Sequence, residues 1–128
     1  MEHTERMRVQ WVDTDASGLI HYTAALRYFE VPEHALMRRA FADAASERGF
    51  KMPRVHVEAD YLAPLRYPDV FDCTVRVESV GTTSVTYGYR ITREDGTECI
   101  RGRIVAVAID AEGRSRPIPP AIRARLQA

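Results

Sequence analysis

The sequence predicts an α+β fold in which one long helix packs on a five-stranded antiparallel sheet. One stretch of helical apolar spacing lies near the N-terminus, and five stretches of alternating apolar and polar residues surround it. Strands and helices do not alternate along the chain, which excludes a doubly wound parallel sheet. Because 128 residues can bury one sizeable core, we expect a single domain over residues 1–128.

The first strand is short and precedes the helix. Apolar residues alternate with polar ones from Met7 to Trp11, which predicts a strand. Helical spacing begins at Thr23 and continues to about Ser46, with Gly49 as a natural stop. Pro32 lies inside this stretch and lacks a backbone donor, so we expect a kink or break near Val31–Pro32.

Four more strands follow, each bounded by turn residues. Alternation predicts strands over residues 55–61, 71–78, 85–91 and 99–109. The last strand is apolar on both faces from Ile104 to Ile109, which favours a central position in the sheet. A short C-terminal helix is predicted from Ala121 to Leu126, after a proline-rich segment.

Composition narrows the function classes. Lys plus Arg and Asp plus Glu both number 18, so there is no basic excess for binding nucleic acid or a membrane surface. No apolar run approaches the roughly 20 residues of a membrane span, and the charged N-terminus does not resemble a signal peptide. We therefore expect a cytoplasmic protein without membrane insertion, and a net charge of zero is compatible with a homo-oligomer.

The two cysteines do not indicate a metal or redox site. Cys73 and Cys99 lie in predicted strands and are not spaced as a CxxC motif. We expect buried, reduced thiols, and we expect neither a metal nor a cofactor.

The segment DTDASGLIHYTAALRYFE, residues 13–30, is the strongest candidate for a site. Two carboxylates and a glycine lie in a turn directly before the predicted helix. We interpret Asp13 as structural, bonding the N–H groups of its own turn. Spacing alone leaves open whether Asp15 is a catalytic carboxylate or a turn-forming or capping residue.

The sequence resembles the hotdog-fold acyl-CoA thioesterases of the 4-hydroxybenzoyl-CoA thioesterase type and their Tol-Pal-associated relatives. The segments that carry the resemblance are VQWVDTDASGLIHYTAALRYFE, VEADYLAPLRYPDVFDCTVRVESVGTTSVTYGYRI and RPIPPAIRARL. The resemblance implies a sheet that wraps around one long central helix. It also implies dimers whose sheets join, often paired into tetramers, with active sites at the subunit interface.

The same resemblance implies specific roles in thioester hydrolysis. Asp15 matches the catalytic carboxylate, acting as general base or nucleophile, and the backbone N–H of Tyr22 matches the oxyanion donor. A thiolate is a good leaving group, so one carboxylate suffices, and free N–H groups at a helix start can hold the oxyanion. Relatives often have Tyr-His where this chain has His21-Tyr22, so His21 is either catalytic or a pocket-lining structural residue.

Four further residues are candidates for substrate binding. Trp11 lies where relatives often have tyrosine, and it either shapes the acyl pocket or packs in the core. Gly18 lets the chain reverse tightly and lets a ligand approach the backbone. Met52 is a candidate for setting pocket depth, and His56 lies on the polar face of the second strand, in contact either with substrate or with solvent.

Three alternative functions stay open. Relatives often carry a basic residue in the turn where this chain has Gly81-Thr82-Thr83-Ser84, so the substrate is either an acyl-CoA or an acyl group on acyl carrier protein. The second alternative is a non-catalytic acyl-CoA-binding protein. The third is a hydratase or dehydratase in which His56 pairs with Asp15.

Overall fold

Five strands form one antiparallel sheet, and a long helix packs against it. The computed structural model describes residues 1–42 and 51–128. The sheet has the strand order β1-β3-β4-β5-β2. The elements are β1 Glu2–Arg8, α1 Ala24–Ala40, β2 Arg54–Tyr61, β3 Val70–Val80, β4 Ser84–Arg93, β5 Glu98–Val107 and α2 Pro120–Gln127. The predicted α+β class and the antiparallel sheet are confirmed.

The core lies between α1 and the inward face of the sheet. The ring of Phe29 stacks on Tyr89 with 4.4 Å between centroids, and Tyr28 packs against Phe71 at 4.7 Å. A side chain at Gly102 of β5 would overlap the Phe29 ring, so this ring packs directly on the sheet backbone there. Complete burial of a side chain such as Phe29 contributes about 1.5–3 kcal/mol to folding.

The first strand differs from the prediction. It spans Glu2–Arg8 rather than Met7 to Trp11, and a 3-10 turn follows at Trp11–Asp13. Charged residues of β1 pair with β3 on the outer face of the sheet: Arg6 Nε lies 3.0 Å from Asp72 Oδ1. Such pairing between distant strands stabilises a strand that local apolar alternation does not reveal.

The helix passes through Pro32 without a break. Pro32 is buried within the continuous helix α1, so the predicted break at Val31–Pro32 is wrong. Packing of the helix on the sheet outweighs the lost hydrogen bond. The helix ends at Ala40; the predicted end near Ser46 and the stop at Gly49 lie outside the described residues.

Strand β5 lies inside the sheet, between β4 and β2, next to the middle strand β4. The expected position of β5 away from the sheet edges is confirmed. Cys73 and Cys99 are both free and buried, as predicted. Burial raises the pKa of Cys73 to about 12, which keeps this thiol protonated at neutral pH.

Strand β2 is an edge strand that the helix leaves uncovered. Among the described residues it pairs only with β5, and seven of its eight residues are exposed. Val57 remains 45% exposed although it points to the same face as the core residue Ile104.

In the described part of the chain, neither helix has both the length and the apolar character needed to cross a bilayer.

Candidate active site

The loop between the 3-10 turn and α1 is closed by backbone hydrogen bonds. The carbonyl of Asp13 accepts the N–H of His21 at 2.7 Å, and the N–H of Asp15 donates to the carbonyl of Leu19 at 3.0 Å. Gly18 has φ +82°, a conformation that favours glycine. A Cβ at Gly18 would meet no other atom of the described chain, so this position requires glycine for conformation and not for space.

Asp15 presents an ionised carboxylate at the surface of this loop. Its Oδ1 accepts a 2.8 Å hydrogen bond from the N–H of Ser17 and a second one from the Ser17 hydroxyl. These two hydrogen bonds hold the pKa of Asp15 below its ordinary value. Within residues 1–42 and 51–128, no residue donates a hydrogen bond to the second carboxylate oxygen, Oδ2. Asp15 therefore stabilises its own turn through one oxygen and leaves the other exposed.

The N–H of Tyr22 has no acceptor among the described residues, whereas both neighbouring N–H groups do. His21 donates to the Asp13 carbonyl at 2.7 Å, and the Thr23 N–H donates to His21 Nδ1 at 3.3 Å. Tyr22 directly precedes Thr23, the N-cap of α1. The free N–H therefore lies at the positive end of the helix dipole, where negative charge is stabilised.

The imidazole of His21 lies flat against the Tyr22 ring, with 4.6 Å between centroids. Its Nδ1 is 2.7 Å from the Thr23 hydroxyl oxygen, which fixes the orientation of the ring. His21 also lies near enough to contribute to lowering the pKa of Asp15, after the larger effect of Ser17. Its catalytic role stays a prediction.

Of the remaining predicted contacts, Trp11 borders the loop, where its carbonyl accepts the N–H of Thr14 at 3.1 Å, whereas Met52 and His56 lie away from the loop within one chain. Trp11 is 75% exposed and packs edge-to-face on Tyr67, so it is not a core residue. Met52, in contrast to Trp11, is buried and belongs to the core.

His56 lies on the outer face of β2. It precedes Tyr61 by five residues, which places it about 16 Å from the strand end that contacts Tyr22. The proposed His56–Asp15 pair is not formed within one chain.

Asp13 makes more contacts than the sequence indicates. Its Oδ2 accepts the N–H of Gln10 at 3.0 Å, in line with a structural role in the turn. The same carboxylate also accepts hydrogen bonds from Tyr28 and Arg27 on α1. Both donors lie on the first turns of the predicted helix, so the sequence places them close to Asp13. Hydrophobic periodicity does not show that their side chains point toward its carboxylate.

A second buried carboxylate, Glu33 of α1, was not predicted at all. It is 1% exposed, and its Oε2 accepts a 2.9 Å hydrogen bond from the Tyr89 hydroxyl. Its other oxygen contacts the guanidinium of Arg54 at the start of β2.

Across the described ranges, no cluster of three or more metal-ligating side chains occurs.

Comparison with known proteins identifies relatives that match most of the chain. The family model described as "Thioesterase-like superfamily" matches residues 9–126. The 1,4-dihydroxy-2-naphthoyl-CoA hydrolase of Synechococcus sp. (strain CC9311) is 30% identical over 118 residues, which cover 84% of this chain and 77% of that protein. The acyl-CoA thioester hydrolase YbgC of Escherichia coli O6:H1 is 26% identical over 126 residues, covering 94% and 92%.

A solved structure is also similar to this chain in its fold. A thioesterase from Thermus thermophilus, complexed with coenzyme A and Zn, superposes with a TM-score of 0.85 and 28% identity. The superposition covers 98% of each chain. The predicted arrangement of sheet and central helix is therefore shared over almost the full length.

Proposed function

This chain belongs to the thioesterase-like superfamily, and we propose that it hydrolyses acyl-CoA thioesters with Asp15 as the catalytic carboxylate. The hotdog fold inferred from the resemblance is confirmed. The main-chain N–H of Tyr22 serves as the oxyanion donor. One observation carries the proposal: the Tyr22 N–H is free between two satisfied neighbours in the described chain, in the same loop as the exposed oxygen of Asp15.

Asp15 Oδ2 acts in one of two ways. As a general base it takes a proton from water while the water oxygen bonds to the thioester carbon; as a nucleophile it bonds to that carbon itself, and water later hydrolyses the anhydride. In both routes the carbonyl oxygen becomes negative, the C–S bond breaks, and coenzyme A leaves as a thiolate. Both routes need an ionised carboxylate, which the lowered pKa of Asp15 supplies at neutral pH.

The Tyr22 N–H stabilises the negative oxygen during this step. A main-chain donor at a helix N-terminus is already oriented, so it needs no rearrangement as charge develops. Removal of one such donor in other enzymes costs about 3 kcal/mol of transition-state stabilisation.

We infer that a second copy of the chain completes the site around this loop. Val55, Val57 and Tyr61 of β2 are exposed, and Tyr22 and Leu26 at the start of α1 are exposed as well. The unpaired edge of β2 can accept a further strand, whereas the edge strand β1 has the charged sequence EHTERMR, which discourages strand addition. These features favour a homodimer joined through β2.

Such a dimer brings one of the predicted substrate contacts toward the loop. If two copies of β2 pair antiparallel about a two-fold axis, the Tyr61 end of one strand meets the Arg54 end of the other. The partner's Met52, two residues before that end, then approaches the Asp15 loop, whereas the partner subunit's His56 stays on the outer face of the joined sheet. Further assembly of dimers into tetramers stays a prediction.

One contact favours acyl-CoA over acyl carrier protein as the substrate. The turn at residues 81–84 has no basic residue, but Arg123 Nη2 donates to the carbonyls of Gly81 at 2.6 Å and Thr82 at 3.0 Å. The guanidinium of Arg123 thus supplies positive charge at this turn, where the phosphates of coenzyme A can bind.

The test is steady-state thiol release from a panel of aromatic, short-chain and long-chain acyl-CoAs. We expect Asp15→Asn to lose at least ~100-fold in turnover on the best substrate. Asp95→Asn is the matched control. Like Asp15, Asp95 accepts a hydrogen bond from the N–H two residues later, here that of Thr97 at 2.9 Å, but Asp95 lies in the β4–β5 turn. Equal turnover of wild type and Asp15→Asn would instead support a non-catalytic acyl-CoA-binding protein. Hydrolysis of acyl carrier protein thioesters alone would overturn the choice of substrate.

A cytoplasmic location also stays a prediction. Two free, buried cysteines are typical of a reducing compartment.

A further inference from the structure

We infer that Asp13 is a positioning residue for thioester hydrolysis: it holds Asp15 and the Tyr22 N–H at a constant separation. The inference rests on the proposed function, because it assigns Asp13 a role in the geometry of that site. It concerns a buried carboxylate that takes no part in the chemical step itself.

The carboxylate of Asp13 ties the loop to the helix. Asp13 is 2% exposed, and the Tyr28 hydroxyl donates a 2.6 Å hydrogen bond to its Oδ2. The Gln10 N–H reaches the same oxygen at 3.0 Å, and the guanidinium of Arg27 contacts Oδ1. One side chain therefore joins the segment before the loop to the first two turns of α1.

The main chain of Asp13 holds the other end of the loop. Its carbonyl accepts the N–H of His21 at 2.7 Å, so residues 13 and 21 cannot separate. Asp15 follows Asp13 by two residues, and Tyr22 follows His21 by one. A displacement of Asp13 therefore changes the distance between the catalytic oxygen and the oxyanion donor.

The contacts of Asp13 suit a positioning role and exclude a direct one. Burial alone would raise the pKa of Asp13, but hydrogen bonds from Tyr28 and Arg27 outweigh burial and hold the pKa below its ordinary value. The carboxylate is therefore ionised at neutral pH, and both of its oxygens are occupied by donors. Because Asp13 is 2% exposed, its carboxylate is also out of reach of water and of a thioester.

Tyr28→Phe tests the inference with minimal disturbance of packing. The variant removes the 2.6 Å hydrogen bond to Asp13 and keeps the ring against Phe71. We expect kcat to fall by about 10-fold or more while KM changes less than about threefold, since small displacements of reacting groups reduce the rate of the chemical step.

Val75→Ala is the stability control. Val75 is fully buried on β3, four residues beyond Phe71, and β3 is separated from β2 by two strands. Loss of this buried side chain should lower the midpoint of thermal unfolding at least as much as Tyr28→Phe does. We expect its kcat to stay within about twofold of wild type.

A second pair of variants avoids any failure to fold. Arg27 is 55% exposed at its side chain, so its replacement leaves the core intact. We expect Arg27→Gln to lower kcat, and Arg27→Lys, which keeps a positive donor, to restore part of that loss.

The outcomes separate this inference from the proposed function. If Tyr28→Phe and Arg27→Gln lower stability as Val75→Ala does but keep kcat within about twofold of wild type, Asp13 is only structural and the inference is wrong. If Asp15→Asn keeps wild-type turnover, the proposed function fails whatever the Asp13 network does.

Discussion

The hydroxyl of Tyr61, the last residue of β2, donates a hydrogen bond to the main-chain carbonyl of Tyr22, just before α1. The unpaired edge of the sheet is thereby connected to the residue that carries the free N–H. Burial, with a smaller contribution from Tyr22, raises the pKa of Tyr61, so its hydroxyl remains a donor at neutral pH. The interface proposed at β2 and the catalytic loop therefore depend on each other.

Disruption of the β2 edge should abolish both assembly and activity. We expect Val57→Glu to convert a dimer or tetramer into monomers and to lower turnover at least about tenfold. Val57 points to the same face of the sheet as the core residue Ile104, and the partner would bury the new charge on that face. Sedimentation velocity at assay concentration measures the assembly. Thr4→Glu, on the free edge β1, should change neither quantity. A fully active monomeric wild type would contradict the proposed interface.

The oxyanion role belongs to the backbone of Tyr22 and not to its ring. Tyr22→Pro lacks the N–H and should lose about 10²–10³-fold in kcat, whereas Tyr22→Ala keeps the donor and should remain within about threefold of wild type. Circular dichroism and thermal unfolding show whether each variant is folded. A folded Tyr22→Pro enzyme with normal kcat would eliminate this donor.

Ser17 should control the pH range of the enzyme. Ionised Asp15 is the active form, and the lowered pKa of Asp15 keeps activity down to a lower pH than an ordinary aspartate would. Ser17→Ala removes the hydroxyl donor, so the acid limb of the kcat/KM profile should move upward, toward the ordinary value of 3.8. Thr97→Ala removes the equivalent contact to Asp95 and should leave the profile unchanged. An unshifted acid limb in Ser17→Ala would show that Asp15 does not govern the profile.

Two strand glycines should differ in their tolerance of alanine. A Cβ at Gly102 overlaps the ring of Phe29, which is fully buried and stacked on Tyr89. We expect Gly102→Ala to reduce the free energy of unfolding by about 1–3 kcal/mol. The three atoms nearest to a Cβ at Gly88 all belong to the flexible side chain of Glu78, which can move aside, so Gly88→Ala should be nearly neutral. Urea denaturation of the two variants measures the difference, and equal stabilities would contradict close packing at Gly102.

Local patterns were sufficient for most of the secondary structure. Alternation placed β2 to β5 within a few residues, and the turn before α1 was recognised from Asp13, Gly18 and their neighbours. The pattern failed where distant residues decide the outcome: β1 forms through pairing with β3, and α1 continues through Pro32 because the sheet supports both halves.

The sequence by itself determined the fold class and the loop in which Asp15 lies, because hydrophobic periodicity and turn chemistry act over a few neighbouring residues. Only the tertiary structure decided that the Tyr22 N–H lacks an acceptor in the described chain, that Asp13 is clamped by Tyr28 and Arg27, and that β2 stays exposed. Hydrogen-bond satisfaction and burial depend on which distant segments meet, and no local pattern specifies that.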